Sequence, residues 1–194
     1  CITGFYTLDA GSITYQGEDV TGMPAYRRAR IGLSRSFQIP RPFTGMSVFE
    51  NLLVPMDYCL KVDEEDELAR AEEILRNVGL SARRDDPAEE LSQLELRKLE
   101  LARALAGRPK ILIADEAMAG LSEGEIDEIL ELLFALNKTG VAVVMIEHIM
   151  HAVMRFSSRV ICLATGEIIA QGAPEDVVND SQVQRVYFGE QTPG

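Results

Sequence analysis

Residues 111 to 116 read Ile-Leu-Ile-Ala-Asp-Glu, an apolar run ending in two carboxylates, and a second apolar run, Val141 to Ile146, ends in Glu147 and His148. As neighbouring strands of one sheet, the two runs would bring together groups suited to cleaving a phosphate chain with metal assistance. Asp115 would hold a magnesium ion, Glu116 would orient water, and His148 would reach the terminal phosphate from the adjacent strand. Each residue also has a plainer reading. A carboxylate pair can be a solvated strand terminus, and a single histidine is more often a satisfied structural residue. Gln38, which follows the extended run Ile31 to Phe37, would by itself more often be a surface glutamine. His151 lies three residues past His148, but no cysteine or further histidine completes a metal set.

The elements that must carry these groups follow from periodicity and turn chemistry. Lys110 to Asp115 and Val141 to Glu147 read as buried strands on either side of an amphipathic helix from Glu123 to Asn137. This is a β-α-β unit and implies parallel pairing. Gly11 to Gly17 alternates around Ile13 and Tyr15 as a short half-buried strand would. Pro40 and Pro42 stop regular pairing after Gln38. Ser47, with Glu50 three residues on, forms a capping box opening a helix, and a second helix runs from about Glu64 to Val78. Asp85, Asp86 and Pro87 break the chain before a third helical segment, Glu95 to Ala106, in which Leu96, Leu99, Leu101 and Leu105 keep helical spacing. Val160 to Ala164 and Ile168 to Gln171 flank the turn Thr165-Gly166-Glu167 as a hairpin, and Pro174 stands at the first position of a helix. There is no internal repeat and no low-complexity tract.

Composition narrows the classes. The 194 residues carry 31 acidic against 19 basic side chains, a formal charge of −12. That balance opposes a protein that works by neutralising nucleic-acid phosphates, although Arg27, Arg28 and Arg30 form a local basic cluster. Cys1, Cys59 and Cys162 are odd in number and lack zinc or redox spacing, which fits a reducing cytosol. No apolar stretch approaches the roughly 20 residues of a spanning helix, so service at a membrane would need a partner that spans it.

A glycine-rich loop ending in lysine and serine or threonine would surround phosphates with backbone amides. The sequence has none. Asn137-Lys138-Thr139-Gly140 contains a Lys-Thr pair, but it ends a helix, where a lysine is electrostatically favourable.

Five segments in order carry a resemblance: Arg35-Ser-Phe-Gln38, Met46-Ser-Val-Phe-Glu-Asn-Leu-Leu53, Leu99-Glu-Leu-Ala-Arg-Ala-Leu105, Ile113-Ala-Asp-Glu-Ala-Met-Ala-Gly-Leu121 and Ile146-Glu-His148. From Gly4 to Gly189 the chain resembles the ATPase subunits of ABC transporters, in particular the branched-chain amino acid importer group, which the tail at 174–180 and 186–190 also resembles. The resemblance implies an α/β fold with an incomplete P-loop NTPase-like parallel sheet core, a helical subdomain at about 47–106 and a small antiparallel β portion. Residues 1–194 would form a single nucleotide-binding domain fragment. ATP and Mg²⁺ are the implied cofactors, with Asp115 and Gln38 toward the metal and nucleotide, Ser92 toward phosphate, and Glu116 and His148 as catalytic groups.

The implied partners are transmembrane permease subunits, a second ATPase subunit and, indirectly, an extracytoplasmic binding protein; no nucleic acid is implied. The location would be the cytoplasmic face of the inner membrane, peripheral through the permease. The resemblance also implies that Cys1 lies a few residues past a phosphate loop, so that the chain is expected to be truncated before it and inactive alone. Leu91-Ser-Gln-Leu-Glu95 departs from the family's Leu-Ser-Gly-Gly-Gln, placing a leucine where backbone must approach phosphate and a carboxylate beside it. Both oppose fast hydrolysis and raise the alternative of a low-activity regulatory subunit paired with a competent ATPase. Ala119-Gly120-Leu121-Ser122 ends in serine where the family has aspartate.

Overall fold

The structure is a computed structural model that describes residues 1–36, 40–60 and 64–188. The chain divides into two compact units, 1–146 and 147–194. In the first unit, a hairpin of β1 (Thr14–Tyr15) and β2 (Glu18–Asp19) precedes α1 (Ala25–Arg30) and β3 (Leu33–Ser36). Then come α2 (Val48–Cys59), α3 (Glu64–Asn77), α4 (Gln93–Ala106), β4 (Ile111–Asp115), α5 (Glu123–Lys138) and β5 (Ala142–Ile146). The second unit holds α6 (Met150–Phe156), β6 (Val160–Ala164), β7 (Glu167–Gly172), α7 (Pro174–Val178) and α8 (Ser181–Phe188).

The sheet that matters for function is β3-β4-β5, parallel throughout, with β4 central. The β-α-β reading of the sequence holds: α5 carries the chain from β4 to β5, burying Ile126, Ile129, Leu130 and Leu133. One expectation fails. β5 is not a buried strand; Ala142, Val144 and Ile146 are exposed, the last two by 46% and 49%. Its only strand neighbour among the described residues is β4, so one of its faces lacks the cover that Leu112 to Ala114 receive in the centre.

The helices α2, α3 and α4 enclose a separate apolar core that includes Val48, Leu52, Met56, Leu75, Leu80 and Leu99. In the second unit β6 and β7 pair antiparallel, with an irregularity between Cys162 and Leu163, and pack Cys162 against Val177 and Val183.

Three helices start with the same Ser-x-x-Glu device. Ser47 and Glu50 cap α2 reciprocally, and Ser92 with Glu95 does the same for α4, two residues earlier than hydrophobic periodicity suggests. At α5, Glu125 accepts from both the amide and the hydroxyl of Ser122. The Ser92 amide holds the Glu95 carboxyl below the usual glutamate range, and the Ser122 hydroxyl and amide do so for Glu125. A carboxylate with a lowered folded pKa adds stability that is complete above the ordinary glutamate range and is lost as pH falls through the folded value. Urea midpoints are therefore expected to fall in acid. Glu95→Gln, which keeps a capping partner but cannot titrate, should flatten the part of that slope due to α4; a slope identical to wild type would remove Glu95 from it.

Candidate functional site

In an open parallel sheet, ligands gather at the carboxyl ends of the strands, and two of the predicted groups, Asp115 and Glu116, lie there. Asp115 ends β4. Glu116 follows in a left-handed backbone conformation, φ +47°, which costs an ordinary side chain about 1–2 kcal/mol. Its amide donates to the Ile146 carbonyl at 2.9 Å, so the last residue of β5 holds Glu116 in that conformation. Strained non-glycine backbone that persists because neighbours enforce it is a feature of working sites.

Asp115 is ion-paired with Arg35 of β3. The register explains the meeting: Arg35 lies opposite Ile113, and Ile113 and Asp115 share one face of the sheet because side chains alternate. The sequence marks Arg35 only as part of a motif; its pairing depends on register, which no local pattern shows. Gln38, two residues past β3, lies outside the described residues. The chain just beyond it is anchored at Arg41, whose amide donates to buried Glu100 at 3.0 Å and whose carbonyl accepts from Arg103 at 2.7 Å. Asn51, fully buried, holds the next stretch by bonding the Phe43 amide and carbonyl and the Ser47 carbonyl.

Ser92 is the N-cap of α4; its hydroxyl oxygen accepts from the Glu95 amide at 3.3 Å, while Glu95 accepts from the Ser92 amide at 2.8 Å and faces Arg83 at 3.4 Å. The Glu95 charge is thus committed to starting the helix. Gln93 and Arg97 both donate to the Ala119 carbonyl, at 3.3 and 3.0 Å. A side chain at Gly120, φ +80°, would come within 2.5 Å of the Gln93 amide nitrogen. The start of α4 is therefore fastened to the loop that leaves Glu116. Ser122, where the resemblance implies aspartate, is used as the α5 cap.

His148 belongs to the second unit, 65% exposed, with Nδ1 4.0 Å from a fully buried Glu147 carboxylate. The structure thus brings Asp115, Glu116 and the added Arg35 to one end of the sheet and ties Ser92 to the same loop through its helix. No group of three or more metal-ligating side chains occurs among the described residues. Magnesium is compatible with that, because it commonly takes one or two carboxylates and fills its other positions with water and phosphate oxygens.

Residues 1–119 match the family model described as ABC transporter, and residues 167–192 match that of a branched-chain amino acid ATP-binding cassette transporter. A probable branched-chain amino acid transport ATP-binding protein, LivG, from Archaeoglobus fulgidus is 35% identical, with 98% of this chain and 78% of the relative covered. The lipopolysaccharide export system ATP-binding protein LptB of Haemophilus influenzae is 33% identical over 98% of this chain and 79% of its own length. A crystal structure of a nucleotide-free ATP-binding cassette from an ABC transporter superposes with a TM-score of 0.87 at 29% identity, covering 97% of this chain and 81% of that one.

Proposed function

Since the chain belongs to the ABC transporter family of ATP-binding subunits, we propose that it powers import of branched-chain or related amino acids by ATP hydrolysis. The observation that carries the hydrolytic part is Glu116, held in left-handed backbone beside Asp115 at the end of the central parallel strand. The cargo class rests on the LivG relatives and on the match at 167–192.

In this reading Glu116 orients and deprotonates the attacking water, and Asp115 with Gln38 holds Mg²⁺. When bound, the ion neutralises charge on the phosphates. Arg35, ion-paired with Asp115, aims that carboxylate beforehand. Ser92 accepts in its cap, so its own hydroxyl proton stays available for a phosphate oxygen of the nucleotide on an opposing subunit. His148, exposed, contacts the terminal phosphate. These 194 residues supply metal, water and terminal-phosphate ligands but contain no glycine-rich lysine loop, so by themselves they bind ATP weakly. Transmembrane permease subunits and a second ATPase subunit complete the machine, with an extracytoplasmic protein delivering the amino acid. No helix among the described residues is long and apolar enough to cross a membrane, and the chain attaches to the cytoplasmic face through its permease.

A second reading, a regulatory subunit with little turnover of its own, is favoured by Gln93 and Leu94, which put bulk where phosphate approach asks for bare backbone. One preparation separates the two. The intact protein reconstituted with its permease in liposomes is expected to drive ATP-dependent uptake of radiolabelled leucine, isoleucine or valine, with phosphate release by the homodimer. Uptake that needs a different ATPase subunit favours the regulatory reading. Phosphate release without uptake of these amino acids removes the proposed cargo.

A further inference from the structure

At the opposite end of the same strands, β3 and β4 open onto a cavity of about 330 Å³. Arg30, Arg108 and Lys110 line it, with Glu18 as its one carboxylate. Among the described residues none of these three cations makes an ion pair. Lys110 Nζ donates to the Gln16 side-chain carbonyl at 3.2 Å, and Arg30 Nε donates to the Tyr58 carbonyl at 3.1 Å while its guanidinium lies over the Tyr58 ring. In a chain of net charge −12, three cations against one carboxylate among the described lining residues make this concavity a local reversal of sign.

Helix ends explain part of this. Arg30 stands in the last turn of α1 and Arg108 just past the end of α4, where a cation complements the helix dipole. Two observations go further. Arg108 adopts φ +51° at a position after a helix where glycine is the usual choice, so a cation is kept there against a backbone cost. Among the described residues the Tyr15 hydroxyl, on another wall of the cavity, is buried without a hydrogen-bond partner, and buried polar atoms are ordinarily paired. Gly32, φ +98°, lies so close to Lys110 that an added side chain would meet its backbone nitrogen at 3.0 Å, which fixes the cavity floor. Ile31 and Leu60 give the remaining wall an apolar surface.

We infer that this cavity binds a small organic phosphate: the phosphate between Arg30, Arg108 and Lys110, its body against Leu60 and Tyr15. Lys110 and Asp115 are separated along β4 by about 16 Å, at roughly 3.3 Å per residue, so the site is distinct from the nucleotide end of the sheet.

Phenyl phosphate serves as the probe in calorimetric titrations of the intact protein at low salt, with phenol as the neutral control. One saturable site is expected for phenyl phosphate and none for phenol, with an affinity unaffected by saturating ATP. Arg108→Ala/Lys110→Ala should weaken binding about a hundredfold, because each lost charge-assisted hydrogen bond is worth about tenfold. Arg30→Gln, a change at an exposed side chain, gives an independent variant that should also weaken it. Absence of saturable heat, unchanged affinity in folded variants, or displacement by ATP would each overturn the inference. So would sedimentation with phosphatidylglycerol vesicles without phenyl phosphate binding, which would point to a membrane surface instead.

Discussion

Glu116→Gln is expected to lower steady-state ATP turnover by about 10²–10³-fold while leaving ATP binding close to wild type. The amide keeps the size and planarity of the carboxylate, so the left-handed backbone and its bond to Ile146 persist, but it cannot take a proton from water. The loss corresponds to about 3–4 kcal/mol of transition-state stabilisation, and it should fall on kcat with little change in KM. Phosphate release and equilibrium nucleotide binding, measured on the assembled transporter, check both halves. Turnover within threefold of wild type would remove Glu116 from the chemistry and leave its strained backbone as a feature of the turn.

The second large effect concerns folding. Arg28 is 2% exposed and makes no ion pair among the described residues; its guanidinium donates to the carbonyls of Cys1, Ile2, Thr21 and Met23, all at 2.7 to 2.8 Å. Arg28→Ala would strand those carbonyls in a site also crowded by Gly4, where an added Cβ would meet the Ala25 nitrogen at 3.0 Å. A destabilisation of about 3 kcal/mol or more is expected, since charged hydrogen bonds contribute about 1.5–3 kcal/mol each and water can recover only part of the loss. Arg28→Lys should recover a fraction, because an ammonium cannot reproduce a planar fork of donors. Exposed Arg27→Ala should stay within about 0.5 kcal/mol. Urea unfolding of the three variants checks the order. Equal stabilities would mean the cluster is a surface patch after all.

That cluster shows where sequence reading reaches its limit. Arg27, Arg28 and Arg30 are indistinguishable in composition, yet one is a buried clamp and the other two are exposed. Which of them turns inward is decided by helix phase against the carbonyls of Cys1 and Ile2, 27 and 26 residues away, and of Thr21 and Met23. The strands carrying Asp115 and the chain into His148 were legible because an apolar run followed by carboxylates is a local pattern. The Arg35–Asp115 pair was not, since it arises from parallel register between segments 80 residues apart.

The segment at 92–95 is a different case. The Ser-x-x-Glu signal that identifies the α2 cap at Ser47 is present there too, but comparison with the family signature drew attention to the charge of Glu95 rather than to its capping use. Leu94 remains unaccounted for by capping. The second unit was legible as a hairpin and a proline-started helix for the same reason as the strands: turn residues and an N1 proline act locally.

The uncovered face of β5 has a practical consequence. Ala-Val-Val-Met-Ile is a five-residue stretch of high β-propensity without a charge or a proline. With β4 on one side and no second strand neighbour among the described residues, it offers a backbone ladder that another copy can extend. For these 194 residues handled by themselves, storage then becomes a contest between dilution and strand-by-strand aggregation. A lysine at position 144 would act as a gatekeeper, lengthening shelf life without entering the buried core.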